Sequence, residues 1–280
     1  TDMTDIGTGT YTILTQIAAD TLNTSVDNVT VKLGDSRYPA SCGSGGSFGA
    51  ASSGSAVKKA CEALIANIKS SLPPALSQAE VQILDGQIKL VSIAQGDDEE
   101  VSRPVLLANF MSDSDFPISA TGKVSEDDTS DDEQYSCGAH FAEVEVDKYT
   151  GEVRLLRQYG MFSAGQILNM KTAASQIKGG MVWGAGYALT EGIHHHKDTA
   201  SFVNPDFGEY HVAVNRDIAE VSLDFLQEAD YAASPVGAKG IGELGITGAG
   251  AAIANAIYDA CKVRVRDFPI TMDKIIAGKN

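Results

Sequence analysis

The chain has 280 residues, of which 43% are hydrophobic, and its formal net charge is −16 at pH 7. This hydrophobic fraction is enough for a packed globular core, and the negative charge disfavours a nucleic-acid partner because a phosphate backbone would be repelled. The sequence contains no apolar run close to the ~20 residues of a membrane-spanning helix, so no membrane span is expected.

No sequence motif has the spacing of a metal site. Two acidic runs, 97–100 and 126–133, lack the turn glycines of a cation-binding loop and are typical of solvated loops. The adjacent residues 194–196 are all histidine, and neighbours on a regular element cannot all face one ion, so we expect them at the surface. The cysteines are too far apart for a zinc or iron-sulfur site and are expected to be free thiols. They are Cys42, Cys61, Cys137 and Cys261.

In the N-terminal part, glycine-rich loops twice precede a helix. The chain begins in a predicted strand without a signal-peptide pattern, which indicates that it is one part of a longer polypeptide. Apolar spacing and turn residues predict strands over 1–6 and 29–33, helices over 13–22 and 57–68, and glycine loops over 7–10 and 34–49.

The rest of the chain mixes hairpins with helices. A hairpin over 81–92, turned at 85–86, and a short helix over 105–111 are predicted first. A half-buried strand over 138–146 turns at 150–151 into a second strand over 153–159. Helical spacing over 177–188 predicts a buried helix with Trp183 in the core. A strand over 218–226 and a glycine loop over 237–250 follow, and the last helix covers 252–260.

This irregular alternation predicts an α+β fold of layered mixed sheets and helices, because a doubly wound parallel sheet would need regular β-α repeats. The similar loop-to-helix units predict two related lobes, at about 1–134 and 135–280.

The three glycine loops share one physical capacity. Their backbone N–H groups and the positive end of the following helix can be directed at an anion, which suits a phosphorylated cofactor. A purely structural turn is the alternative at each loop, because glycine turns before helices are common.

The third loop contains Gly240, Gly242 and Gly245 in the spacing of a dinucleotide-binding turn. However, the preceding residues lack the buried strand of that motif, and Glu243 would repel a pyrophosphate. The apolar neighbours of Glu243 are expected to desolvate it partly and so raise its basicity, as a general base requires. A carboxylate that caps a helix near Thr247 is the alternative.

The third glycine loop and the segment that follows it resemble a known family. Residues 239–243, the glycine- and alanine-rich helix after them, and residues 263–269 are similar to the end of the molybdopterin-binding large subunit of xanthine dehydrogenases and aldehyde oxidoreductases. In that family the glutamate of the G-x-G-E loop is the active-site base. The resemblance therefore assigns that role to Glu243, with Gly240 and Gly242 at the cofactor.

Other motifs extend the resemblance through nearly the whole chain. Residues 5–12 are similar to a glycine loop that usually reads G-Q-G, with Thr8 in place of the glutamine. The resemblance implies Gly7, Thr8 and Gly9 as cofactor contacts, the two glycines through their backbones. Residues 44–47 are similar to a second cofactor loop, and Gln176 matches a glutamine that lies near the metal and the pterin. The cofactor contacts implied in these two regions are Gly46, Ser47 and Gln176.

The resemblance implies an enzyme that hydroxylates an aldehyde or heteroaromatic carbon with water as the oxygen source. It implies a molybdenum-molybdopterin cofactor, in bacteria the cytosine dinucleotide form, with the metal held by the pterin rather than by protein ligands. Iron-sulfur and FAD groups are expected on partner chains or domains, together with an upstream domain of the large subunit, so the isolated chain is expected to be inactive. A cytoplasmic location is expected, or a periplasmic one through a partner's signal.

Two other functions are considered. The first is a non-catalytic cofactor-binding or assembly module that kept the fold, and the second is an NAD-binding dehydrogenase domain.

Overall fold

The computed structural model describes residues 1–72, 80–84, 87–91, 105–106, 117–125, 128 and 130–278. The chain divides into two compact units. The first unit comprises Thr1–Glu133 and Asp230–Lys239, and the second comprises Gln134–Ala229 and Gly240–Asn280. The segment Asp230–Lys239 therefore belongs to the first unit, whereas a simple split into N- and C-terminal lobes would place it in the second.

Two helices pack against each other in the first unit. Helix α1 spans Thr10–Thr21 and helix α2 spans Gly49–Ser70. In α1 the buried side chains include Leu14 and Ile17, which share one helix face. A β-carbon at Gly54 of α2 would lie 2.8 Å from Cδ1 of Ile17, so glycine allows the two helices to approach closely here. Both predicted helices are confirmed, although α2 begins earlier than expected.

A small antiparallel sheet completes the first unit. It consists of β1 (Glu80–Leu84), β2 (Gln87–Val91) and β3 (Val105–Leu106), in that order. Buried Val81 and Leu90 pack with Ile68 and Leu72 from the end of α2 and the turn after it. The predicted hairpin is confirmed, but its turn at 85–86 lies outside the described residues.

Three predicted elements of the first unit are wrong where they are described. Residues 105–106 pair with β2 instead of starting a helix, and residues 107–111 lie outside the described part. The segments 1–6 and 29–33 belong to neither sheet. Some backbone groups of the first segment form hydrogen bonds with loop residues instead. The N–H of Asp2 donates to the carbonyl of Pro39 at 3.1 Å, and the N–H of Gly34 donates to the carbonyl of Met3 at 2.9 Å.

The second unit contains a mixed sheet. Strands β4 (Cys137–Val146) and β5 (Val153–Ser163) form an antiparallel hairpin with a bulge between Glu143 and Val144, and β6 (Ile218–Leu226) adds in parallel to β5. The residues of β4 alternate between exposed and half-buried from His140 onward, as the sequence predicts. All three predicted strands are confirmed.

Four helices accompany this sheet. They are α3 (Met170–Leu189), α4 (Leu244–Thr247), α5 (Ala249–Cys261) and α6 (Met272–Ala277). Asn169 is the N-cap residue of α3, and its side chain accepts a hydrogen bond from the N–H of Thr172 at 3.0 Å, which satisfies one helix-terminal donor. The predicted helices over 177–188 and 252–260 are confirmed.

Two apolar clusters form the core of the second unit. The larger includes Ile253 and Ile257 of α5, which pack with Leu155 of β5. The smaller consists of Phe162, Ile177 and Met181, each with no exposed surface. The prediction that Trp183 lies in the core is wrong, because it is 64% exposed. The buried residues of α3 are Ile177, Met181 and small residues such as Gly184 and Ala185.

The architecture confirms the predicted α+β class, with helices and small sheets, of which the first is antiparallel and the second is mixed. Within the described residues, we find no helix with the length and apolarity needed to cross a bilayer. The acidic run 97–100 lies outside the described residues, whereas Asp131, Asp132 and Glu133 of the second run are exposed, as expected.

Candidate functional site

The turn that carries Glu243 is held by the residue just before β4 and by its own backbone. The hydroxyl of Ser136, just before β4, donates to the carbonyl of Gly240 at 2.6 Å. Inside the turn, the N–H of Leu244 donates to the carbonyl of Ile241 at 3.1 Å. These bonds fix the entrance of the glycine loop that leads into α4 and α5.

Helix α3 holds the same turn by direct backbone contact. A β-carbon at Gly180 would lie 2.8 Å from the nitrogen of Ile246, and a β-carbon at Gly245 would collide with the backbone carbonyl of Ile177. Backbone atoms cannot yield as a flexible side chain can, so only glycine fits at both positions. Gln176 directly precedes Ile177, so the structure brings the helix segment of Gln176 to the turn of Glu243.

The apolar neighbours of Glu243 anchor the turn but do not bury its carboxylate. Ile241 and Leu244 pack against the cluster of Phe162, Ile177 and Met181. Glu243 itself is exposed. The expectation that this chain partly desolvates Glu243 is therefore wrong, because the apolar side chains of the turn point into the core on the other side.

The helix-capping alternative for Glu243 also fails. Glu243 occupies the N-cap position of α4, but its side chain makes no capping hydrogen bond. The bond to Thr247 runs in the opposite sense, since the Thr247 hydroxyl donates to the backbone carbonyl of Glu243 at 2.9 Å. The Glu243 carboxylate thus has no capping role at the start of α4.

His140 of β4 is a site residue that the sequence analysis missed. Its ring packs edge-on against Phe162, with 5.1 Å between ring centroids, and a β-carbon at Gly248 would collide with the ring. Burial lowers the pKa of His140 below its ordinary value, although a hydrogen bond with the backbone of Leu244 acts in the opposite direction. No local pattern could reveal this role, because Leu244 and Gly248 lie about a hundred residues further along the chain.

In the first unit, the first glycine loop surrounds a carboxylate of its own chain. Asp5 Oδ1 accepts hydrogen bonds from the N–H groups of Gly7 at 2.8 Å and Gly9 at 3.3 Å, and Oδ2 accepts one from Tyr11 at 3.2 Å. Gly7 and Gly9 have φ angles of 97° and 90°, a conformation that favours glycine. The loop is thus an anion site that Asp5 fills.

The cofactor contacts expected of Gly7 and Gly9 stay predictions. In this structure their N–H groups donate to Asp5. Partial burial acts to raise the pKa of the Asp5 carboxyl, but the backbone hydrogen bonds outweigh it and lower the pKa below its ordinary value. The D-x-G spacing was a signal for this contact, because aspartate often accepts from the N–H two residues on.

The second glycine loop lies beside the first. The hydroxyl of Ser44 accepts from the N–H of Thr4 at 2.8 Å and donates to its carbonyl at 2.7 Å. Gly46 and Ser47 have φ angles of 56° and 60°, and the value at Ser47 is unusual for a residue with a side chain. The structure therefore brings the predicted positions of these two loops together within the first unit.

Among the described residues, no group of three or more histidine, cysteine, aspartate or glutamate side chains could hold a metal ion. The four cysteines are free thiols, and the histidines at 194–196 are exposed, both as predicted.

The dinucleotide-binding alternative lacks its structural context. The residues that lead into the third loop, 230–239, pass through turns rather than a strand, and the helix that begins after Glu243 is the short α4. A nicotinamide-binding turn needs a buried strand before the glycines and a long helix after them. This region of the described chain has no strand before the glycines, and its long helix, α5, begins only after the short α4.

Comparison with protein families gives a match over residues 1–219 to the molybdopterin cofactor-binding domain. The chain belongs to this family. The matched range of the molybdopterin cofactor-binding domain includes the first two glycine loops and Gln176, and it ends before Glu243. The third loop therefore lies outside the range that the family model matches.

Curated relatives of this molybdopterin cofactor-binding domain extend over nearly all of the chain. The aldehyde oxidoreductase molybdenum-binding subunit PaoC of Escherichia coli (strain K12) is 42% identical over 99% of this chain and 36% of that protein. The probable hypoxanthine oxidase XdhD of the same strain is 31% identical over 98% of this chain and 28% of that protein. The chain thus spans about a third of the length of these relatives.

Solved structures show the same fold. Quinoline 2-oxidoreductase from Pseudomonas putida 86 aligns with a TM-score of 0.81 at 22% identity, covering 99% of this chain and 36% of that one. CO dehydrogenase from Oligotropha carboxidovorans aligns with a TM-score of 0.79 at 18% identity, covering 99% and 34%. At these identities the likeness supports the fold of the domain and no particular chemistry.

Proposed function

We propose that this chain is the part of a molybdenum-dependent hydroxylase that carries the general base, Glu243. The observation that supports this role most directly is an exposed carboxylate on a turn that is held by close backbone contacts from α3 and by a hydrogen bond from the Ser136 hydroxyl. A base must be accessible to the reacting group and fixed in position. The 42% identity to an aldehyde oxidoreductase subunit supports the reaction class.

The glycine loops fit a large cofactor because parts of their backbone are not covered by other atoms of the protein. A β-carbon at Gly7, Gly43 or Gly45 would have no atom within 4 Å, so a ligand can approach the backbone closely at these positions. Since Asp5 accepts the N–H groups of Gly7 and Gly9, these two glycines would contact the cofactor through open backbone rather than through their amides. The proposed cofactor contacts are Gly7, Thr8, Gly9, Gly46, Ser47, Gln176, Gly240 and Gly242.

Bound cofactor would supply the two-electron redox chemistry of the hydroxylation, with water as the source of oxygen. The chain's own part is proton transfer. An oxygen of the Glu243 carboxylate accepts the proton of the oxygen nucleophile, which can then attack an electron-poor carbon. The rigid turn keeps that carboxylate from moving away while the proton is transferred.

The rest of the proposed enzyme lies outside this chain. Because the chain covers 36% of PaoC, an upstream domain of the large subunit is proposed to complete the site, and the isolated chain is proposed to be inactive. Iron-sulfur and FAD groups on partner chains or domains would carry the electrons away. The proposed cofactor is the cytosine dinucleotide form of molybdopterin, and the proposed substrate is a small aldehyde or heteroaromatic compound.

The test is Glu243→Gln in the complete enzyme with its partners. Loss of a positioned base should lower kcat by ~10²- to 10⁴-fold, while molybdenum and nucleotide contents stay at wild-type levels. Glu145→Gln, which changes an exposed glutamate on β4 in the same way, is the matched control and should have wild-type kcat. Unchanged turnover in Glu243→Gln would reject the base and favour a non-catalytic cofactor-binding or assembly module.

A further inference from the structure

The hydroxyl of Ser44 in the second glycine loop bonds to both backbone groups of Thr4. It accepts from the N–H of Thr4 at 2.8 Å and donates to the carbonyl of Thr4 at 2.7 Å. A third bond, at 3.1 Å, joins it to the Thr4 hydroxyl. Thr4 directly precedes Asp5, whose carboxylate accepts the amides of the first glycine loop. One side chain thus connects the two loops that are proposed to contact the cofactor.

These bonds take the place that strand pairing would have at Thr4. Residues 1–6 belong to neither sheet of the described chain. A hydroxyl has one donor and two acceptor sites, so Ser44 can serve the N–H, the carbonyl and the hydroxyl of Thr4 together. Nearby, Asp2 donates its N–H to the carbonyl of Pro39 at 3.1 Å, and its Oδ1 accepts from the N–H of Ser41 at 2.7 Å. The start of the chain is therefore attached to residues 39–44 at several points.

The proposed cofactor contacts lie close along the chain on both sides of this connection. Gly7 follows Thr4 by three residues, and Ser47 follows Ser44 by three residues. On the first side, the bonds of Asp5 to the N–H groups of Gly7 at 2.8 Å and Gly9 at 3.3 Å hold the loop in one shape. The Ser44 hydroxyl therefore sets the distance between the backbones of the two loops.

We propose that Ser44 is a positioning residue, whose hydroxyl holds the two glycine loops in the arrangement that binds the cofactor. This inference rests on the proposed function, because it requires that the loops contact the cofactor. Loops that are already held in the binding arrangement lose less freedom on binding, so removal of the hydroxyl should weaken cofactor retention. A role in the general stability of the unit would instead affect regions far from the two loops.

The experiment compares Ser44→Ala, Ser44→Thr and Ser44→Val in the complete enzyme. Threonine and valine have nearly the same shape, but only threonine keeps the hydroxyl. The control is Ser36→Ala, which changes an exposed serine of the same unit. Each variant is measured for the rate at which it loses molybdenum and nucleotide on dialysis and for turnover per bound molybdenum. Amide hydrogen exchange is followed over 2–11 and 41–47, and over 55–70 of α2 as an internal reference.

We expect Ser44→Ala to speed exchange over 2–11 and 41–47, and to speed cofactor loss, by ~10-fold each, as the loss of about one or two net hydrogen bonds does. Exchange over 55–70 and turnover per bound molybdenum should stay within ~3-fold of wild type, because the hydroxyl contacts neither α2 nor the base. Ser44→Val should behave like Ser44→Ala, and Ser44→Thr like wild type.

Wild-type exchange in both loops of Ser44→Ala, or a threonine variant as impaired as the valine variant, would overturn the role of the hydroxyl. Faster exchange with wild-type cofactor loss would also overturn the proposal, since the hydroxyl would then join the loops without positioning them for the cofactor. If Ser44→Ala does not fold, the comparison of threonine with valine still tests the hydroxyl. If the complete wild-type enzyme contains no molybdenum, the proposed function fails, and the exchange rates still decide whether the hydroxyl joins the loops.

Discussion

Gly180 on α3 and Gly245 in the turn of Glu243 touch backbone to backbone: a β-carbon at Gly180 would lie 2.9 Å from the carbonyl carbon of Gly245. Four residues further along α3, a β-carbon at Gly184 would lie 2.6 Å from Cβ of Ala249, at the start of α5. One face of α3 is therefore free of side chains where the turn and α5 lie against it. This face sets how closely the turn approaches the helix that carries Gln176.

This contact makes Gly180→Ala destabilising. The added methyl group has to displace backbone, and overpacking of this kind typically costs ~1–3 kcal/mol. Gly179→Ala is a matched control one residue away, because a β-carbon there would have no atom within 4 Å and alanine favours the helix by up to ~1 kcal/mol. Denaturant unfolding of this chain measures the unfolding free energy of both variants. Equal stability of the two variants would contradict the close contact between Gly180 and the turn at Gly245.

Removal of the Asp5 carboxylate should weaken the start of α1. Gly9, the N-cap residue of α1, offers no side-chain cap, and Asp5 accepts the N–H groups of Gly9 and Tyr11 in its place. Asp5→Ala should therefore cost ~1 kcal/mol, as loss of a helix cap does. Asp20→Ala, an exposed aspartate at the other end of α1, should be neutral or stabilising. A similar loss in both variants would refute the capping role.

The Asp5 contact should also depend on pH. Because the folded-state pKa of Asp5 lies below its ordinary value, the folded state binds fewer protons here than the unfolded state. The stabilisation is therefore present above pH ~4 and is lost as the pH falls through the folded pKa. The difference in unfolding free energy between wild type and Asp5→Asn should narrow from pH 7 to pH 3. A constant difference over that range would show that ionisation of the Asp5 carboxylate does not contribute to the stability of the fold.

Phe162 and Trp183 should respond in opposite ways to truncation. Phe162 has no exposed surface and lies under Ile241, Leu244 and the ring of His140, so Phe162→Ala should cost ~3–5 kcal/mol. Trp183 is 64% exposed, so Trp183→Ala should change the unfolding free energy of this chain by less than ~1 kcal/mol. Thermal and denaturant unfolding of the two variants tests this. A large loss for Trp183→Ala would show that its surface is buried in solution.

Local sequence patterns predicted the helices and strands that bury one regularly spaced face. The 3.6-residue spacing of Leu14 and Ile17, and the alternation along β4, each reflect one buried face, so both are visible in sequence. The segments 1–6 and 29–33 were predicted as strands because they have strand composition, but they find their hydrogen bonds in loops such as that of Pro39. Composition cannot show which partner a backbone group will find.

The sequence by itself determined the family motifs, the α+β class and Glu243 as the candidate base, because residue types, spacing and glycine turns are local properties. The tertiary structure decided that Asp5 accepts the amides of the first loop. It also decided that Glu243 is exposed, that α3 lies against the backbone of its turn, and that the ring of His140 packs against Gly248. These relationships join residues far apart in the chain, so they depend on packing geometry that no local pattern records.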